Sequence, residues 1–159
     1  LDRKSLKDIT GKEWDGWIEN YIDYEDELEI KLSKMGPEDI IREYFKALDK
    51  NDIKTVWACM TRENLSKYLS TNMDNQYLFN KDADKIDYNI NNINSAKLLE
   101  IKEFNGLNNK PGVLEYQVKV DYDFIKPITA DDGVWTRFIL LKKESEKSGW
   151  RIDGIGTGP

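Results

Sequence analysis

The sequence predicts an α+β domain in which helices come first and pack on a curved antiparallel sheet that comes last. Three observations carry this. Apolar residues recur at helical spacing up to about residue 70, the period changes to two after residue 97, and turn dipeptides then separate successive apolar runs.

The chain has 159 residues, 39% of them hydrophobic and 34% charged, with five Trp, eight Tyr and five Phe. That length suits one domain with a core of its own, and the aromatic content is above the signature of disorder.

Residues 1–35 form an acidic arm with ten acids and six bases, net −4. Within it Trp14, Trp17, Ile18, Tyr21 and Ile22 share one helical face, which either packs on the chain's own domain or docks on a protein partner. The acidic run from Asp23 to Glu29 lacks the spacing and glycine of a calcium loop and reads as a solvated face. The run from Asp82 to Asp87 fails the same test, so no metal site is expected.

The second unit, residues 36–159, opens on Gly36-Pro37-Glu38-Asp39, with proline at the first helical position and acids in the first turn. Ile40, Ile41, Tyr44, Phe45 and Leu48 make the buried stripe of that helix. Asp49-Lys50-Asn51-Asp52 ends it and caps a second helix that carries Ile53, Val56, Trp57 and Met60. A third, shorter helix is expected after Thr61, with Leu65, Tyr68 and Leu69 as its inner face. Residues 71–95, rich in Asn and Asp, give no clear element.

Residues 98–104 read as a strand ending at Asn105-Gly106. From 114 to 124, Leu114, Tyr116, Val118, Val120, Tyr122 and Phe124 alternate with Glu115, Gln117, Lys119, Asp121 and Asp123, so one face is buried and the other wet. Residues 134–143 are apolar on both faces, with Trp135, Ile139 and Leu141 on one and Val134, Phe138 and Leu140 on the other, as in an internal strand. The same two-sided apolarity suits a sheet-to-sheet homodimer. Trp150-Arg151-Ile152-Asp153 forms the last strand before the Gly-rich end at 154–159.

Two segments resemble a known superfamily. The stretch Pro37 to Asp52, with Tyr44-Phe45-Lys46-Ala47-Leu48 at its centre, is similar to the opening helix of nuclear transport factor 2-like (cystatin-like cone) domains. Gly149-Trp150-Arg151-Ile152-Asp153 is similar to their closing strand. The resemblance spans roughly residues 36–156, and with the Gly-rich end it points to an uncharacterised branch of clostridial secreted or membrane-tethered proteins. It implies a sheet wrapped into a cone with an apolar mouth, an extracytoplasmic location and no particular activity. The Lys-, Asn- and Ile-rich composition fits a Gram-positive source, and a start at Leu1 rather than Met fits either a trimmed chain or a removed targeting segment.

Composition narrows function. With net charge −6 and no basic stripe, nucleic acid is not an expected partner. The chain has no histidine, which removes Ser-His-Asp and Cys-His catalysis and His-ligated zinc. Cys59 is the only cysteine and sits in an apolar run, so it reads as a small buried hydrophobe. No run is long enough to span a bilayer. No cofactor is expected.

Asp121 and Asp123, the acids a cone isomerase could use as base, lie on the wet face of their strand. Tyr44, Trp57, Tyr116, Trp135 and Arg137 are the residues expected to line a ligand pocket, Arg137 binding a carboxylate beside Trp135. The favoured function is a non-enzymatic binding or protein-interaction module for an unknown protein partner or small apolar ligand. The alternative is a cofactor-free isomerase or lyase, or an apolar-ligand carrier, with its site inside the cone.

Overall fold

The computed structural model describes residues 27–64, 92–106, 110–126 and 131–158. The aromatic face at Trp14 to Ile22 and the helix expected at Leu65, Tyr68 and Leu69 lie outside the described residues. The elements run α1 (Glu27–Ser33), α2 (Pro37–Asp49), α3 (Ile53–Ala58), β1 (Ile93–Glu103), β2 (Val113–Phe124), β3 (Gly133–Lys143) and β4 (Trp150–Gly156). The four strands form one curved, open antiparallel sheet in the order β1-β2-β3-β4, so the α+β arrangement holds.

Helix α2 starts at Pro37, where a missing N–H costs nothing, and Glu38 and Asp39 complement its dipole. It ends in a Schellman turn. Asn51 takes the left-handed conformation at φ 57°, its N–H donates to Leu48 O, and Asp52 N–H donates to Ala47 O. Asp52 then caps α3 by accepting from the Thr55 N–H at 3.2 Å and the Thr55 hydroxyl at 2.6 Å. The polar break between the two helices therefore serves both of them.

The core lies between the helices and the inner face of the sheet. Ile40, Ile41, Tyr44, Phe45, Ala47 and Leu48 of α2 meet Val56 and Trp57 of α3, Tyr116, Val118, Val120 and Tyr122 of β2, Ile139 and Leu141 of β3, and Ile152 of β4. The alternation in β2 is the one the sequence predicts from Tyr116 onward, with Lys119 and Asp121 on the wet face, but Glu115, expected to be wet, is 6% exposed.

Strand β1 begins at Ile93, inside the stretch that shows no clear element. Two register shifts, between Ile93 and Ser95 and between Leu98 and Glu100, break its period. The residues opposite β2's buried Tyr122, Val120 and Val118 are Ala96, Leu98 and Ile101, which no strict alternation connects. Leu99, at the second shift, is 57% exposed. Strand β4 likewise runs to Gly156, past the expected end at Asp153, and pairs Ile155 with Ile139 after a shift opposite Leu140 and Leu141.

Both sheet edges are blunted. On β1 the outward Ala96 N–H donates to Asp49 Oδ1 of α2 at 3.0 Å. On β4 Ile152 donates to Cys59 O and accepts from Thr61 N–H, each at 2.8 Å, in a parallel bridge to Met60. Backbone groups used in this way are unavailable to an added strand.

The packing reaches back into the acidic arm. In α1 Leu32 is fully buried and Glu29 is 1% exposed, which corrects the reading of Glu29 as part of a solvated face. The C-terminal end of α1 rests on Gly149, where an added Cβ would come within 2.6 Å of Ser33 O and where φ is +66°. We therefore expect Gly149→Ala to destabilise the fold by clash as well as by backbone strain of about 1–3 kcal/mol. Gly112→Ala, at φ +77° with nothing within 4 Å of the added methyl, should cost strain alone. Urea unfolding of both variants checks this, and equal losses would show that α1 is not pressed on Gly149.

Candidate functional site

Antiparallel register places the aromatic and cationic side chains of β3. Val118 pairs with Arg137, Val120 with Trp135 and Tyr122 with Gly133, so Arg137, Trp135 and Tyr122 share the inner face. The expected pocket residues separate here into two groups. Tyr44, Trp57 and Tyr116 are 6%, 1% and 5% exposed and belong to the packed core. Trp135 and Arg137 lie at the end of β3 where the core gives way to solvent, and Trp135 is 37% exposed.

Arg137 holds this cluster together. Its guanidinium carbon is 5.3 Å from the centre of the Trp135 ring and 5.6 Å from that of Tyr122, both within cation–π range. The indole is fixed by its own Nε1–H, which donates to Asp131 O at 2.8 Å, and Tyr122 stacks on Phe124 with ring centres 5.5 Å apart. Arg137 Nη1 donates to Thr136 O at 3.0 Å, and no carboxylate among the described residues pairs with it. The cluster is thus an aromatic wall with a cation that no carboxylate among the described residues pairs with.

Burial pushes the Tyr122 phenol up to about 12, against the opposing pull of Arg137. It remains an O–H donor at any physiological pH. Asp121 lies on the wet face, and Asp123 on the same face accepts from Asn94 Nδ2 at 2.6 Å. Neither joins the cluster, as their parity in the sequence predicts. Tyr122 was visible in that parity as well, yet only the register shows that it meets Arg137.

A second concavity of about 330 Å³ lies between α2 and β1, lined by Arg42, Phe45, Lys46, Asp49, Ala96, Lys97 and Leu98. Its carboxylate, on Asp49, is the one that accepts the Ala96 N–H.

The most buried charges form a third constellation that sequence reasoning did not anticipate. Glu29 lies between Arg62 and Arg151, with Oε1 hydrogen-bonded to Arg62 Nη2 and Oε2 3.2 Å from Arg151 Nη1. All three side chains are 1–2% exposed. Each arginine is also held by backbone carbonyls, Arg62 Nη1 by Met60 O at 3.1 Å, Arg151 Nη1 by Ala58 O at 2.6 Å and Arg151 Nε by Ser148 O at 3.1 Å. Ala58 ends α3, so its carbonyl adds the negative end of the helix dipole. Above this group Glu144 Oε1 accepts the Arg62 N–H at 2.7 Å, and Lys142 Nζ lies 2.9 Å from Glu63 and 3.4 Å from Asp153. The hydrogen bond to Glu63 raises the Lys142 pKa.

Cys59 is buried beside these charges. Desolvation drives its thiol up to about 12, although the positive charge of Arg151 opposes the shift. Among the described residues no cluster of three or more Cys, Asp or Glu side chains could hold a metal ion, and no helix is long and apolar enough to cross a membrane.

The fold and its site define a small α+β domain with an aromatic–cationic cluster at the open end of the sheet's inner face. The chain belongs to the family described as Domain of unknown function (DUF4829), whose model matches residues 38–156. Neither the comparison with curated proteins nor that with solved structures gave a match.

Burial raises both the Cys59 thiol and the Tyr122 phenol, so in each case the folded state favours the neutral form. The sign follows directly: the unfolded chain ionises first, near 9 for Cys59 and 10 for Tyr122, and stability falls as pH rises from there toward 12. Urea unfolding at about pH 8 and about pH 10.5 should show a loss approaching about 1.4 kcal/mol per pH unit for each group. A stability that holds or rises over this window would contradict the burial of these groups. Under native conditions at pH 8 the thiol should be inert to a disulfide reagent and react only on unfolding.

Proposed function

We propose that this domain is a non-enzymatic binding module, a cone of the nuclear transport factor 2-like type, whose site is the Tyr122–Trp135–Arg137 cluster. The observation that carries the reading is Arg137, a cation held against two aromatic rings and left without an acidic partner among the described residues. Such an arrangement suits a ligand or partner segment that joins an apolar body to a carboxylate: the rings offer a preformed surface and the guanidinium a charge-assisted hydrogen bond. Binding is favoured over proton-transfer chemistry because the cluster contains a cation and a phenol that stays protonated, and the nearby Asp132 carboxylate is engaged by the Phe124 N–H at 2.8 Å. The helices-then-meander order supports the cone assignment. The sequence resemblance supports a location outside the cytoplasm, in a secreted or membrane-tethered protein of a Gram-positive bacterium.

Titration with decanoate and with phenylacetate, followed by indole fluorescence, tests the site. We expect a saturable change, weakened about tenfold or more by Arg137→Met and by removal of the carboxylate, as in decanol, since a charge-assisted contact is worth about 1.5–3 kcal/mol. Trp135→Phe should abolish most of the signal while binding persists by calorimetry. Absence of saturable binding, or equal affinity in the Arg137→Met variant, overturns the assignment.

A further inference from the structure

We propose that Arg62 and Arg151 form a built carboxylate seat and that α1 is held on the domain by its own Glu29 acting as the ligand of that seat. Both arginines lie inside the family-matched stretch, whereas Glu29 precedes it. The seat is shaped by the body of the domain. Arg62 is aimed by Met60 O, and Arg151 by Ala58 O and Ser148 O, none of which belongs to α1. Two guanidiniums fixed in this way at 1% exposure cannot be left without an anion, because the uncompensated charge would be buried.

The ligand class follows from the geometry. One oxygen goes to each arginine, which is the bridging mode of a carboxylate, and the stem of Glu29 brings it in from the side occupied by α1. Among the described residues Arg151 Nη2 makes no hydrogen bond, so the seat offers a donor that Glu29 does not use. The rest of the grip on α1 includes Leu28, packed against the core, and an ion pair between Lys31 and Glu43 at 3.5 Å. This helix has seven residues, with Leu32 as its fully buried apolar side chain and Ser33 resting on Gly149. The carboxylate is the buried charged contact of α1 with the body of the domain, and an acid delivered from elsewhere would compete for the same seat.

Chemical rescue in the 159-residue chain tests this. Glu29→Ala should lower the thermal midpoint by roughly 10 °C. Acetate or formate in the millimolar range should restore much of that loss saturably, while chloride at equal ionic strength does not. The wild-type midpoint should stay nearly constant in acetate. Glu29→Gln, which fills the seat with a neutral amide, should be destabilised and insensitive to acetate. If Glu29→Ala fails to fold alone, refolding from urea should succeed only with acetate present. The proposal is overturned if Glu29→Ala keeps the wild-type midpoint, if acetate shifts all three proteins alike, or if acetate rescues neither the midpoint nor the refolding of Glu29→Ala.

Discussion

A carboxylate between two guanidiniums, with all three side chains out of water, is the constraint on which the arrangement of this domain depends. Glu29 comes from α1, Arg62 from the segment after α3 and Arg151 from β4, so one cluster ties three distant parts of the chain. Such a group adds little net stability when intact, because desolvation offsets attraction, yet breaking it costs about 3–5 kcal/mol. Its contribution is therefore one of placement. The backbone carbonyls of Ala58, Met60 and Ser148 satisfy further donors of the same arginines, which fixes the C-terminal end of α3 against the start of β4.

That junction has consequences along the sheet. With Ile152 bridged to the segment after α3, β4 cannot accept another strand at this point, and Asp49 does the same for β1 from the other side. The helices are thereby held across the inner face, and the core fills most of it. What the helices leave uncovered is the end of β3 where Arg137 and Trp135 emerge. The aromatic–cationic cluster is thus a product of where the packing stops, and this makes a binding surface out of residues that continue the core pattern.

Much of this was legible in the residues. The helix start at Pro37, the shared break at Asn51 and Asp52, the alternation of β2 from Tyr116 onward and the internal position of β3 all follow from local chemistry, which acts within a few residues and needs no partner. The separation of Asp121 and Asp123 from the inner face follows from parity alone. Strand β1 was harder, because its two register shifts put Ala96, Leu98 and Ile101 on one face without a regular period. The expected cavity-lining set of Tyr44, Trp57, Tyr116, Trp135 and Arg137 divided for a similar reason: large aromatics fill a core as readily as they line a pocket, and only packing distinguishes the two.

By itself the sequence determined the class of fold, the order of its elements and the exclusion of histidine chemistry, since these depend on composition and on periodicity along one stretch of chain. The tertiary structure decided which charges are buried and which are available. Glu29, in an acidic run, reads as solvent-facing, and Arg62 and Arg151 show no local sign of burial. Their pairing spans more than a hundred residues of sequence, and a contact at that separation leaves no periodic trace; it exists only once α3 and β4 have met.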